Sequence, residues 1–126
     1  MSENDNDVKV IVNPYNFNNK MVQESDIKSI LTKYDIDDNI VNLDIYQKAF
    51  IHKSYSRKDP KDLGDNVVIA EKPEGALELF EYNNETLEFL GDAVISTVVA
   101  RYLMERFHGE NEGFLTKMRT KLVNGE

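Results

Sequence analysis

The sequence predicts an all-α domain. Three observations carry that prediction. Residues 84–108 keep helical, mostly apolar character for about 37 Å at 1.5 Å per residue. "SDIKSILTKY", "NLDIYQKAFIHKSY" and "GFLTKMRTKLV" place apolar residues at helical spacing. Only one stretch, residues 65–80, reads as possible β structure, a small hairpin of "NVVIA" and "ALELF" around "EKPEG".

The elements follow in order. Residues 1–20, with "NPYNFNN", are rich in Asn and turn residues and read as a flexible N-terminal arm. Ser25 is the expected N-cap of the first helix, which gathers Ile27, Ile30, Leu31 and Tyr34 on one face. "DIDDN" breaks it. Asp35, Asp37 and Asn39 mimic the start of a calcium loop, but Ile40 stands where glycine is needed and Tyr46 where the closing Glu belongs. The second helix is expected to run through "AFIHKSY". A polar loop and the 65–80 segment follow. Asn83 is the expected cap of the long helix, with Tyr82 and Leu87 as its staple, and Gly109 ends it. The last segment puts Phe114, Leu115, Met118 and Leu122 on one face.

Composition excludes several functions. The 126 residues include no Cys and two His, His52 and His108, so disulfides, thiolate metal sites and a thiol nucleophile are ruled out and a His-rich zinc site is disfavoured. No apolar run reaches the length that spans a bilayer, and the acidic N-terminus lacks the pattern of a secretory signal, so the expectation is an intracellular, cytoplasmic protein without a membrane partner. The net charge of −8 argues against nucleic-acid binding through the overall field. Between Asp62 and Asp92 lie nine acids and one base, Lys72; bases gather instead at Lys53, Arg57, Lys58 and Lys61 and at Lys117, Arg119 and Lys121.

Within "NNETLEFLGDAV", residues 83–94, Glu85, Glu88 and Asp92 fall on one stripe of the helix, with Glu88 about −60° and Asp92 about −20° from Glu85. The surrounding helix is apolar nearly all round and is therefore expected to be buried, with like charges crowded along its side. A divalent cation relieves that repulsion. Magnesium and manganese favour carboxylate oxygens and keep positions open for phosphate. Gly91, unfavourable in mid-helix, suggests close approach by another group. The competing reading is acids favoured by the helix dipole or paired with bases, which covers Glu85 and Glu88 better than Asp92.

The same stretch resembles the signature of the ribonuclease III family, N-E-R-L-E-F-L-G-D-A-V, departing from it between Glu85 and Val94 only at Thr86. "AFIHKSY" is similar to the family's A-L-T-H-x-S-Y, and "EGFLTKMRTKLV" to its E-G-x-L-T-x-x-R-x-x-L-V, in the same order. The resemblance implies an all-α, truncated ribonuclease III endonuclease-type domain: residues 21–126 as its N-terminal portion, with an insertion at about 56–82. It implies metal-dependent cleavage of double-stranded RNA by a homodimer, leaving 5′-phosphate and 3′-hydroxyl ends. Glu88 and Asp92 correspond to metal-binding carboxylates for Mg²⁺, which Mn²⁺ can replace. Glu85 and Glu112 match further catalytic acids, and Phe89 matches an aromatic residue of the dimer interface. Lys53, Arg57, Lys117 and Arg119 are the bases expected at the RNA backbone, though a purely solubilising role stays open. His52 and Ser54 read as structural. The family's second acidic pair belongs to a later helix, so these 126 residues alone are expected to be inactive. The alternative is a family-like module kept for dimerisation or scaffolding.

Overall fold

The computed structural model describes residues 8–125; residues 1–7 of the expected arm lie outside that range. The chain falls into two compact units, one ending at Asn84 and the other beginning at Glu85. The structure is mostly α-helical with one small pair of strands.

The first unit opens with strand β1, Val10–Val12, inside the stretch expected to be a loose arm. Helix α1, Glu24–Lys33, starts one residue before Ser25. Asp26 decides this: its carboxylate accepts the Gln23 N–H at 2.8 Å, so Gln23 is the cap. Ile27 is the residue α1 buries, at 3% exposure. Asp35, at φ 54°, turns the chain after the helix. Helix α2, Leu43–Ala49, is capped by Asn42, whose Oδ1 accepts the Asp44 N–H at 3.1 Å.

The expected continuation of α2 through "AFIHKSY" does not form. Lys53–Tyr55 is instead a single 3₁₀ turn capped by His52, whose Nδ1 accepts the Ser54 N–H at 3.2 Å and lies 2.8 Å from Ser54 Oγ. Local side-chain bonds to the backbone compete with the helix here and win. His52 is thus structural, as read from the sequence, but as an exposed cap rather than a core residue.

The break turns Ile51 and Tyr55 inward, at 5% and 7% exposure. The Tyr55 ring meets Tyr15 edge-on and Phe80 at a tilt, each at 6.4 Å, and its hydroxyl donates to the Leu77 carbonyl at 3.0 Å. An aromatic body with a satisfied polar tip suits such a site. The 56–82 segment is anchored here: the Phe80 N–H donates to Tyr55 O and the Arg57 N–H to Phe80 O.

The hairpin expected at 65–80 is absent. Strand β2, Val67–Ile69, pairs in parallel with β1, in the register Val10↔Val67, Ile11↔Val68, Val12↔Ile69. The stretch Ala76–Phe80 runs elsewhere, and Phe80 bridges to Ser56. A run of β-branched residues, Val67, Val68 and Ile69, announces a strand; it does not name its partner.

The second unit holds α3, Glu85–Arg106, and α4, Glu112–Asn124. Gly109, at φ 98°, makes the turn after α3 as expected, a conformation that residues with a Cβ resist. Asn111 caps α4 by accepting the Phe114 N–H at 2.9 Å. The helices meet through Leu103, 1% exposed, and through the Phe107 and Phe114 rings, 5.3 Å apart. Among the described residues no helix is long and apolar enough to cross a membrane.

Candidate active site

Helix α3 begins at Glu85, so Glu85 and Glu88 both occupy its first turn, where the exposed N–H groups favour negative charge. Glu88 and Asp92 stand one turn apart, about 6 Å along the axis, on the same side of the helix. That stripe continues through Ser96 and Val99, both partly covered, to the buried Leu103. Its lower half packs on α4; its upper half is the row of acids.

The expected burial of these acids is not found. Glu85, Glu88 and Asp92 are all exposed. The apolar character of α3 was read correctly, but its cover was not: Phe89 is 83% exposed, Val98 62% and Leu90 60%. Within its unit α3 has one packed side, against α4, and one helix cannot enclose another. Water therefore screens the carboxylates, and mutual repulsion in a low-dielectric core is not what sets their chemistry.

Among the described residues Glu88 and Asp92 make no ion pair and no side-chain hydrogen bond. No lysine or arginine among the described residues pairs with either of them. Two hard oxygen donors at i and i+4, bare and on one side, fit a divalent cation that keeps most of its water. No group of three acidic or histidine side chains converges among the described residues.

The other expected site residues are spread out. Glu112 lies in the first turn of α4, accepts the Thr116 hydroxyl at 2.9 Å, and lines a groove of about 370 Å³ with Ala100, Leu103 and Met104. Those α3 residues are two to three turns beyond Asp92, about 12–18 Å along the axis, so the structure does not bring Glu112 to the Glu88–Asp92 pair. Phe89 projects into solvent next to Glu88. Lys117 and Arg119 are exposed on α4, and Arg119 faces the groove. Lys53 opens the 3₁₀ turn; Arg57 is tied to Glu81 at 2.7 Å, an exposed pair of small energetic weight.

Gly91 has nothing within 4 Å of where a Cβ would stand, so no described residue makes the close approach its presence suggested. Gly91→Ala is therefore expected to stabilise α3 by about 1 kcal/mol, read as a higher urea midpoint at unchanged slope. An unchanged or lower midpoint would show that something does press on that backbone.

Sequence reading missed Asn84. Its N–H donates to Ile51 O at 2.8 Å and its Nδ2 to Ala49 O at 3.1 Å, while its Oδ1 is buried without a partner. These bonds fix the residue before Glu85 against the end of α2. Its neighbour Asn83 is held as well, its Nδ2 donating to Ser56 Oγ at 3.4 Å.

A family model described as "Ribonuclease III domain" matches residues 85–126. The chain is 34% identical over 114 residues to "Probable ribonuclease 3" of Acanthamoeba polyphaga mimivirus, covering 89% of this chain and 20% of that protein. It is 42% identical over 85 residues to "Ribonuclease 3" of Phocaeicola vulgatus, covering 68% and 22%. To "Ribonuclease 3" of Bacteroides thetaiotaomicron it is 38% identical over 85 residues, again 68% and 22%. The chain thus spans about a fifth of the length of these relatives. No solved structure matches it significantly. With the matched region beginning at the helix that carries Glu85, Glu88 and Asp92, and with relatives alike over most of this chain, the protein belongs to the ribonuclease III family.

Proposed function

We propose that the protein is an endoribonuclease that cleaves double-stranded RNA by divalent-metal-dependent hydrolysis and leaves 5′-phosphate and 3′-hydroxyl ends. One observation carries this reading: Glu88 and Asp92 are bare, one turn apart, on the family signature. Both are acceptors only, so they hold a cation without competing as hydrogen donors for the phosphate. Bound there, Mg²⁺ or Mn²⁺ would neutralise charge on the phosphodiester and activate water. Glu85 extends the acidic row by one turn toward the start of the helix. Glu112 belongs to the site only if another copy or a further segment brings it near the pair. Lys53, Arg57, Lys117 and Arg119 are the proposed backbone contacts, each a charge at the surface rather than a reader of bases.

A second reading, a dimerisation or scaffold module, draws on the exposed apolar surface of α3. Phe89, Leu90, Val94, Ile95 and Val98 together exceed what a helix leaves in water without a partner. The two readings are compatible if a homodimer carries the activity. One experiment separates nuclease from scaffold. A form extended to supply the second acidic pair is incubated with a long RNA duplex and Mn²⁺, and the product ends are mapped. Cleavage to 5′-phosphate ends that stops on chelation supports the nuclease; stable RNA under all metals leaves the scaffold.

A further inference from the structure

The first unit holds a cavity of about 510 Å³, a size that suits a small molecule. It is built by the segment 14–22, by the end of α2 with the 3₁₀ turn after it, and by Leu77 and Phe80, all outside the region that matches the family model. Internal bonds hold its walls. The half-buried Gln47 donates from Nε2 to the Val22 carbonyl at 3.0 Å. The Asn16 N–H donates to the Tyr55 hydroxyl at 3.5 Å, and that hydroxyl donates in turn to Leu77 O.

The lining is one-sided in charge. The chain carries 23 acids, yet no Asp or Glu among the described residues lines this cavity. Lys20 does line it and makes no ion pair among the described residues. His52 adds a second donor. Its Nδ1 accepts the Ser54 N–H, a group that can only donate, so the neutral ring carries its proton on Nε2. An ammonium and an imidazole N–H in one cavity favour an anion rich in acceptor oxygens, such as a phosphate. Phe50 lines the same cavity with 62% of its surface exposed. Open aromatic surface beside cationic donors is how proteins hold an unpaired nucleotide, by stacking on its base and by charge on its phosphate. The side-chain amide of Asn19, which makes no hydrogen bond among the described residues, offers both a donor and an acceptor to a base edge.

We propose that this cavity binds a single unpaired nucleotide, free or at the 5′ end of an RNA strand, with the base on Phe50 and the phosphate at Lys20 and His52. The site uses none of the acids of α3, so it stands or falls apart from the cleavage reading.

The test titrates the isotope-labelled 126-residue chain with adenosine 5′-monophosphate and follows the backbone NMR shifts of residues 14–22 and 47–55. Those shifts are expected to saturate, with adenosine and inorganic phosphate each binding at least about tenfold more weakly than the monophosphate. This ligand series does not depend on how any variant folds. Lys20→Gln is expected to weaken the monophosphate about tenfold and leave adenosine unchanged. Phe50→Ala is expected to weaken the monophosphate and adenosine alike, about tenfold, and leave inorganic phosphate unchanged. Both positions are exposed, so helical circular dichroism should not change. A 5′-phosphorylated RNA pentamer assigns the source: binding at least as tight as the monophosphate makes a strand end the ligand, and weaker binding makes it the free nucleotide. Phosphate alone binding as tightly as the monophosphate would reduce the site to an anion contact, and adenosine binding as tightly would remove the charge selection. Equal displacement of the monophosphate by a blunt duplex without 5′ phosphates would make it a backbone contact. Each of these refutes the proposal, as does the absence of any shift in these residues.

Discussion

Changing Glu88 to Gln or Asp92 to Asn, in a form extended to carry the second acidic pair, is expected to cut the rate of duplex cleavage by about 100-fold or more at low millimolar Mg²⁺. Groups that merely support metal ligands cost about 10–100-fold when removed, so a direct ligand should cost at least that. The amides keep shape and volume and remove only the negative charge. Both positions are exposed on a helix that tolerates Gln and Asn, so the fold is expected to change by less than about 0.5 kcal/mol. A readout beyond rate identifies the cause. If the carboxylate acts by holding a cation, raising Mn²⁺ recovers part of the activity and shifts its metal-dependence curve to higher concentration. A structural role would move the melting transition and leave the metal dependence alone. Glu112→Gln is expected to have the smaller effect, because the α3 residues that share its groove lie about 12–18 Å along the axis beyond Asp92 and farther still from Glu88. Equal cleavage by Glu88→Gln, Asp92→Asn and the parent would remove these carboxylates from the site.

How the sequence reads depends on the range of the interaction. Local signals were legible. Gly109 was read as the end of α3 because a left-handed turn is a demand on one residue, whereas the Asn111 cap of α4, equally local, was not read. The stripe of Glu85, Glu88 and Asp92 was legible because helical period alone fixes it. Non-local facts were not. The partner of Val67–Ile69 is a strand near the other end of its unit, and no pattern inside "NVVIA" points to it. The end of α2 at Ala49 depended on a contest between helix and the His52–Ser54 bonds, which composition does not decide. Burial was the largest misreading. An apolar surface states what a helix needs around it, not what these residues provide; Phe89 at 83% exposure is the measure of that difference.

That difference makes Leu103 the residue on which the second unit depends most. It is buried to 1% exposure, alone among the described residues of α3, against an α4 that buries none of its own fully. Leu103→Ala removes three carbons and leaves a cavity, at a cost of about 2–5 kcal/mol. A helix pair of this size has little reserve, because so small a unit covers only a modest fraction of its apolar surface. The expected result is loss of hydrogen-exchange protection in α4 and in the second half of α3, with a fall in helical circular dichroism. The fragment around Ile51 and Tyr55, a separate core, should keep its protection. Leu103→Met preserves volume and is expected to cost less than about 1.5 kcal/mol, which separates lost packing from a changed surface. Protein concentration provides the sharper discrimination. If the pair stands by itself, the penalty is the same at all concentrations. If the uncovered side of α3 around Phe89 and Val98 is held by association with another chain, folding is linked to binding and the penalty shrinks as concentration rises. A cost below about 0.5 kcal/mol at every concentration would mean that Leu103 is not what joins α3 to α4.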